Sequence, residues 1–291
     1  SDDGSLYVGW VGAYNGPDTI IGQGNFIHYY LQKFDNYGQP LWAEPLQLDT
    51  GNVILIGSLY PLISLTTDGN NGVYVMWPWF FDTSPAVMVS HISPDGQQLW
   101  DPYGTPVAVN PGRAFEEGTL CYNPDHGYPY VFWTEVMYDP VNMTFCYGIG
   151  GQKFSSGGDR LWGDTAKRVV PFICSPDTAI FGGTASQAGN QGNMLVYSKE
   201  YFEIMGTDTL IHTEIHATLL DGDGGYVWPD EVIPVTTCPS YKMQYDLGGL
   251  SHDQWVLAWA DNREDPHELG NTGIYAQNIT LEGNLGPLAL P

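Results

Sequence analysis

Apolar and polar residues alternate along this chain in short runs, and the clearest pair lies near its end. The runs Trp255 to Ala260 (WVLAWA) and Gly273 to Ile279 (GIYAQNI) are rich in β-branched and aromatic residues and predict two strands. A polar segment joins them, and Glu282-Gly283-Asn284 then supplies a turn of the kind that reverses an antiparallel strand. The same two-strand phrase recurs four more times upstream, so it is a unit of construction.

The repeat is anchored on a glycine turn followed by an apolar pair. The anchors are Gly38 to Trp42, Gly96 to Trp100, Gly158 to Trp162, Gly224 to Trp228 and the weaker Gly283 to Gly286, at intervals of 58, 62, 66 and 58 residues. A strand C precedes each anchor and ends in Leu31 to Phe34, Val89 to Ile92, Gly151 to Phe154, His216 to Leu219 or Ala276 to Ile279. A strand B closing on an aromatic residue comes earlier: Leu6 to Trp10, Val73 to Trp77, Tyr128 to Trp133, Asn193 to Tyr197 and Trp255 to Trp259. Strand D follows the anchor at Pro45 to Leu48, Pro106 to Val109, Arg168 to Phe172 and Glu231 to Val235, with Pro287 to Leu290 a short fifth copy. Strand A precedes the turn before B at Leu62 to Thr67, Thr119 to Tyr122, Ala179 to Ser186 and Met243 to Leu250.

Four antiparallel strands at a period near sixty residues match the blades of a β-propeller, which are four-stranded sheets packed radially. The expected fold is therefore all-β, a single five-bladed propeller with repeats at about 1–49, 50–109, 110–172, 173–235 and 236–291. The first repeat has no strand A, so its blade is expected to lack its inner strand and to carry an open edge that invites association. The segments between B and C, starting at Val11, Pro78, Thr134, Ser198 and Ala260, read as long aromatic or acidic loops, and function is expected there.

Composition narrows the partners. Thirty-three acidic against nine basic residues give a formal charge of −24, which repels polyphosphate and anionic lipid, so no nucleic-acid partner is expected. No apolar run approaches the roughly twenty residues that span a bilayer, and no basic-then-apolar leader opens the chain, so no membrane insertion is expected. Cys121, Cys146, Cys174 and Cys238 have no zinc spacing. Disulfides and buried thiols both remain open, and the sequence does not fix a pairing.

The residues VLAWADNRED followed by GIYAQNITLEGNLG resemble the propeller-type repeat of large secreted surface proteins of the Bacteroidetes that carry a C-terminal type IX secretion sorting domain. The resemblance is strongest over Gln254 to Pro291 and runs more weakly through the other repeats. It implies a secreted or cell-surface location, although the sorting domain is not among these residues. The Asp and Arg that follow the Trp in the family stand here only as Asp261 and Arg263. The tripeptide Asp-Ser/Thr-apolar resembles the O-glycosylation signal of that phylum and would mark Thr19, Thr165, Thr178 and Thr209.

Candidate chemistry is sparse. A propeller glycoside hydrolase needs two carboxyl groups flanking the scissile bond, and Glu135, Glu200 and Asp261 lie just beyond successive B strands. The equivalent positions in the first two repeats are Gly12 and Trp79, and the strict equivalent in the fourth is Lys199. Asp261 and Arg263, at alternate positions of an extended segment, point the same way and read as a structural ion pair. Trp79, Phe80, Phe81, Tyr138 and Tyr201 are candidates to stack on sugar rings or anchor a protein, against the alternative of packing between blades. Trp10, Trp77, Trp133 and Trp259, which end B strands, read as packing. His212 and His216 stand about 13 Å apart on a strand, too far to share a metal, and read as ordinary strand residues. Asp221 to Gly225 resembles the start of a calcium loop but lacks the downstream glutamate and fits a C-to-D turn.

These observations lead to the expectation of a non-catalytic extracellular module, not an enzyme and without cofactor or metal, that binds protein or glycan at the cell surface or self-associates through an open blade edge. The two alternatives are a secreted propeller glycoside hydrolase and a surface-filament subunit completed by strand donation.

Overall fold

The computed structural model describes residues 3–15, 25–49, 53–54, 63–81, 84–109, 113–205, 208–265 and 272–286. They form five antiparallel sheets of four strands. The first holds β1 (Leu6–Asn15), β2 (Asn25–Phe34), β3 (Leu46–Gln47) and β4 (Val53–Ile54). The second is β5 (Ser64–Thr67), β6 (Val73–Phe81), β7 (Ser84–Ile92) and β8 (Thr105–Pro106), in chain order. The third is β9 (Ala114–Asn123), β10 (Tyr128–Asp139), β11 (Thr144–Lys153) and β12 (Lys167–Cys174), and the fourth β13 (Thr178–Gln187), β14 (Asn193–Met205), β15 (Asp208–Leu220) and β16 (Ile233–Thr236). The fifth is β17 (Lys242–Leu247), β18 (Gln254–Asp261), β19 (Gly273–Thr280) and β20 (Leu285–Gly286). This all-β architecture of sequential meanders is consistent with a propeller. No described helix is long and apolar enough to cross a membrane.

The chain falls into two compact units, 1–131 with 152–166 and 132–151 with 167–291, and the division passes through the third sheet. In the first unit Tyr7, Tyr29, Leu31, Val73, Val75 and Trp77 form a buried cluster between the first two sheets. In the second, Met194, Val196, Ile215, Ala217 and Leu219 pack against Trp255, Leu257, Trp259 and Ile279. Period-2 alternation produces both clusters, because every second residue of a strand faces the same side.

The first sheet departs from the others in strand order. Both β3 and β4 pair with β2, at Leu31 and Ile27, and among the described residues β1 pairs only with β2. The fifth D strand is β20, and Pro287 to Leu290 lies outside the described residues.

In the second, third and fourth repeats the segments expected as long loops between B and C are largely strand. Pairing continues to Phe81↔Ser84 and Met205↔Asp208, so these are extended hairpins, whereas in the fifth repeat it ends at Asp261↔Gly273. Their aromatic and acidic residues have cross-strand partners, such as Tyr201 opposite His212 and Trp79 opposite Ala86. Such pairs stabilise a sheet whatever the polarity of the face.

One turn is built five times. Asp35, Ser93, Ser155, Asp221 and Thr280 each accept, through their carbonyl, the N–H of a glycine three residues on. These glycines, Gly38, Gly96, Gly158, Gly224 and Gly283, all lie at φ between +76° and +90°. The side-chain oxygen of the first residue closes the turn: Asp221 Oδ1 accepts the N–H groups of Asp223 and Gly225, and Thr280 Oγ1 that of Asn284. Asp221 is thus occupied as a turn cap. In three repeats the anchor tryptophan then packs on the glycine of the next. The Trp42 indole lies against Gly96, Trp100 against Gly158 and Trp228 against Gly283. Each indole N–H donates to a carbonyl of that turn: Trp42 to Pro94 at 3.0 Å, Trp100 to Ser156 at 2.9 Å and Trp228 to Leu281 at 2.9 Å.

Cys146 and Cys174 face each other across β11 and β12 and form a disulfide. Cys121 and Cys238 are in no disulfide, and burial pushes the Cys121 thiol up to about 12. At the end of β18 Asp261 is fully buried. It accepts from the Arg263 backbone at 2.9 Å, the Arg263 guanidinium and the Trp259 indole. Beside it Lys242 is buried, its ammonium donating to the carbonyls of Thr213, Cys238 and Ser240 and to Ser240 Oγ. Burial pushes the Asp261 carboxyl up, but bonds from Arg263, Ser240 and Trp259 and the Lys242 charge outweigh it and hold the group down at about 2.

Three outcomes follow for stability. Trp228→Phe, which keeps the ring and loses the indole donor, should cost about 1 kcal/mol in denaturant unfolding, and Trp228→Ala about 3–5 kcal/mol. A Trp228→Phe variant as stable as the wild type would show that the bond to Leu281 contributes nothing. Gly158→Ala places a Cβ 2.9 Å from the Trp100 ring at φ +90° and should cost about 2 kcal/mol or more by the same assay. Because Asp261 lies below its ordinary value of 3.8, its contribution is present above that value and is lost as pH falls toward 2. Asp261→Asn should therefore flatten the acid limb of a thermal-melting profile between about pH 4 and 2. An unchanged acid limb would remove Asp261 from the account.

Candidate functional site

The fourth sheet carries a polar and aromatic array on one face of its central hairpin. On β14 the residues Tyr197, Lys199, Tyr201 and Glu203 are spaced by two and share a side. Their β15 partners are His216 opposite Tyr197, Glu214 opposite Lys199 and His212 opposite Tyr201. The opposite face of the same strands supplies Met194, Val196, Ile215 and Ala217 to the core of the second unit. The hairpin is therefore rigidly seated, and its other face is left for chemistry.

The array is hydrogen-bonded throughout. Glu214 Oε2 accepts from the Tyr201 hydroxyl at 3.1 Å and lies 3.0 Å from His216 Nε2. Glu203 Oε2 lies 2.8 Å from His212 Nε2. The His216 ring stacks on Tyr197 with centroids 5.4 Å apart. Burial lowers His216 below its ordinary 6.5, against the Glu214 hydrogen bond and charge, which raise it. Burial likewise raises the Tyr197 phenol well above its ordinary value, so it stays protonated. The Lys199 ammonium sits 4.7 Å from the centre of the Tyr201 ring.

Tyr197, Lys199 and His216 open onto a groove of about 420 Å³. Its remaining walls are apolar, with Val170, Pro171 and Ile173 of the third sheet on one side and Ile180, Val232 and Pro234 on the other. That size falls within the range of small-molecule sites. The arrangement combines an aromatic face, a cation and a half-buried carboxylate held by a phenol and an imidazole. It can stack on a ring, pair with a charge and exchange a proton.

The structure disperses the other candidates. Glu135, buried on β10, is ion-paired with Arg168 of β12, whose guanidinium stacks 3.6 Å from the Phe172 ring. Asp261 is closed by Arg263, as the alternate spacing predicted. Glu200, between Lys199 and Tyr201, faces away from the array. The five candidate aromatics lie on three hairpins. Trp79 is half-buried against the core of the first unit, and the side chains of Phe80 and Phe81 lie outside the described residues. Tyr138 is exposed and meets Phe145 edge-on at 5.4 Å. Tyr201 alone joins the array.

Of the threonines in Asp-Ser/Thr-apolar tripeptides, Thr165 is exposed in a turn and Thr178 is half-buried at the start of β13. Thr19 and the Thr209 side chain lie outside the described residues. His212 and His216 share a face, each with a carboxylate partner. Glu214 was missed by the sequence reading. Its signal is the period-2 pattern Tyr-x-Lys-x-Tyr-x-Glu from Tyr197 beside His-x-Glu-x-His from His212.

No protein-family model matches the chain, and no curated protein matches it. Solved structures do. A glycosyl hydrolase from Bacteroides ovatus aligns over 98% of this chain and 84% of its own at 10% identity, with a TM-score of 0.42. The endo-1,5-α-L-arabinanase of Thermotoga petrophila aligns over 98% and 78% at 11% identity, with a TM-score of 0.41. The Bombyx mori β-fructofuranosidase BmSUC1 aligns over 98% and 60% at 12% identity, with a TM-score of 0.44. Identity this low carries no residue's role across. By name, however, all three are carbohydrate-cleaving enzymes, which runs against the expectation of a non-catalytic module that is not an enzyme. That expectation is withdrawn.

Proposed function

We propose that this protein is a glycoside hydrolase of five-bladed propeller fold, working at the groove beside the β14–β15 hairpin. The observation that carries the site is Glu214. Glu135 and Asp261 are each neutralised by an arginine, whereas Glu214 is held by the Tyr201 hydroxyl and the His216 imidazole beside an apolar groove. A carboxyl so placed is free to exchange a proton with a glycosidic oxygen or an attacking water. Glu203, on the same face of the same hairpin, is held by His212.

The five-bladed reading is supported by five four-stranded sheets, four of them of common strand order, and by five copies of one turn. An extracellular setting is supported by the Cys146–Cys174 disulfide, since such bonds persist in oxidising compartments.

The test is release of reducing ends from a panel of polysaccharides and oligosaccharides by the whole chain. Glu214→Gln, nearly isosteric, should lower kcat by about 10²-fold or more, with the circular dichroism spectrum unchanged. Full activity in that variant would exclude Glu214. A wild-type protein that cleaves nothing in the panel would sink the hydrolase reading itself.

A further inference from the structure

We infer that the sugar recognised in this groove is anionic, a uronic acid unit whose carboxylate pairs with Lys199. The inference rests on the groove being the working site proposed above, and it adds the substrate class.

Charge accounting carries it. The chain has only nine Lys and Arg residues against thirty-three acidic ones, so any cation has a surplus of carboxylates to choose from. Most of the others are committed. Lys33 pairs with Asp3, Arg160 with Asp164, Arg168 with Glu135 and Arg263 with Asp261. Lys242 is wrapped by backbone carbonyls and a serine hydroxyl. Lys199 differs. No carboxylate of the described residues forms an ion pair with it, and its ammonium rests over the Tyr201 ring at 4.7 Å. Glu214, directly opposite on β15, is the nearest cross-strand acid, and it is turned to Tyr201 and His216.

The rest of the groove sharpens the contrast. Apart from Tyr197 and His216 its walls are valine, isoleucine and proline. Burial keeps His216 in its neutral form near neutral pH, so Lys199 supplies the positive charge of the site. An ammonium bordered by apolar walls is poorly screened and selects a monovalent anion of matching size. Tyr197 is buried and stacked on His216, and the valine, isoleucine and proline walls are the apolar surface of the groove, so the ligand combines an apolar face with one negative group. A sugar ring bearing a carboxylate has that combination, whereas a neutral hexose leaves the ammonium unmatched.

The experiment titrates the whole chain with a trigalacturonic acid probe and with its carboxyl-reduced, neutral counterpart by calorimetry, and follows cleavage of both. The wild type should prefer the acidic probe by about tenfold or more at low salt, with the preference shrinking as salt rises. Lys199→Met, which keeps the length of the stem, should bring the ratio of the two affinities close to one. Lys199→Arg should restore part of the preference. Equal affinity of the wild type for both probes, or a ratio that survives Lys199→Met, overturns the anionic-sugar inference while leaving the hydrolase reading standing. If neither probe binds while neutral polysaccharides are cleaved, this inference fails alone. Loss of all cleavage and all binding would remove both.

Discussion

The bond from one repeat's indole N–H to a carbonyl in the next repeat's glycine turn is the interaction on which the architecture hangs. It needs two residues at fixed places: a tryptophan directly after the C-to-D turn, and a glycine at positive φ within the following turn. A Cβ at Gly158 or Gly283 would stand 2.9 Å from the indole above it. A non-glycine residue there is opposed both by backbone strain and by the ring. The spacing between anchors can nevertheless differ, 58 residues from Trp42 to Trp100 and 62 from Trp100 to Trp162, because the bond constrains the turns and leaves the hairpins between them free to lengthen. A second device holds two of the anchors to their own sheets. Gln32 donates to the Trp42 carbonyl and accepts its N–H, and Gln152 does the same around Trp162 and Gly163. The glutamine shared by the strand endings LQKF and GQKF is thus a backbone clamp.

Charge is the second constraint. With so few cations, the fold spends them where a buried carboxylate or a cluster of carbonyls would otherwise be unpaired. Arg168 and Arg263 each sit on a buried acid and stack on an aromatic ring, which suits the planar, weakly hydrated guanidinium. Burial pushes Lys242 down from its ordinary value, yet it is enclosed by oxygen acceptors that satisfy its protons. Removing one partner from such a set costs more than the pair itself contributes, because the other is left buried and unmatched. The remaining acids lie mostly at turns and on the surface, where water screens them.

The strands, their order and the turn chemistry were legible in the sequence because each rests on local rules: alternation for strands, Asp, Ser or Thr with glycine for turns. The hairpin extensions were not. Segments such as Ser198 to Met205 and Pro78 to Phe81 mix charged and aromatic residues, and composition reads that mixture as loop. Pairing overrode it, since each residue gained a cross-strand partner. The site was hidden for the same reason. Lys199 and Tyr201 were visible individually, but their relation to Glu214 and His216 depends on the register of β14 on β15, a non-local fact. Cys146 and Cys174 likewise meet only because β11 and β12 pair at that point.

The groove itself follows from how the outer strands are finished. Pro171 on β12 and Pro234 on β16 have no N–H to offer a further strand, which blunts the sheet edges against pairing with another chain. Both edges are also irregular, with register shifts beside Ile149 and between Ile215 and His216. A bulged edge bends away from its neighbour and cannot be filled by regular side-chain packing. What remains is a recess walled by proline, valine and isoleucine, into which only the polar face of β14 and β15 brings hydrogen-bonding groups. The features that protect two sheet edges from association therefore also create the apolar recess in which a lone ammonium and a tethered carboxylate acquire chemical weight.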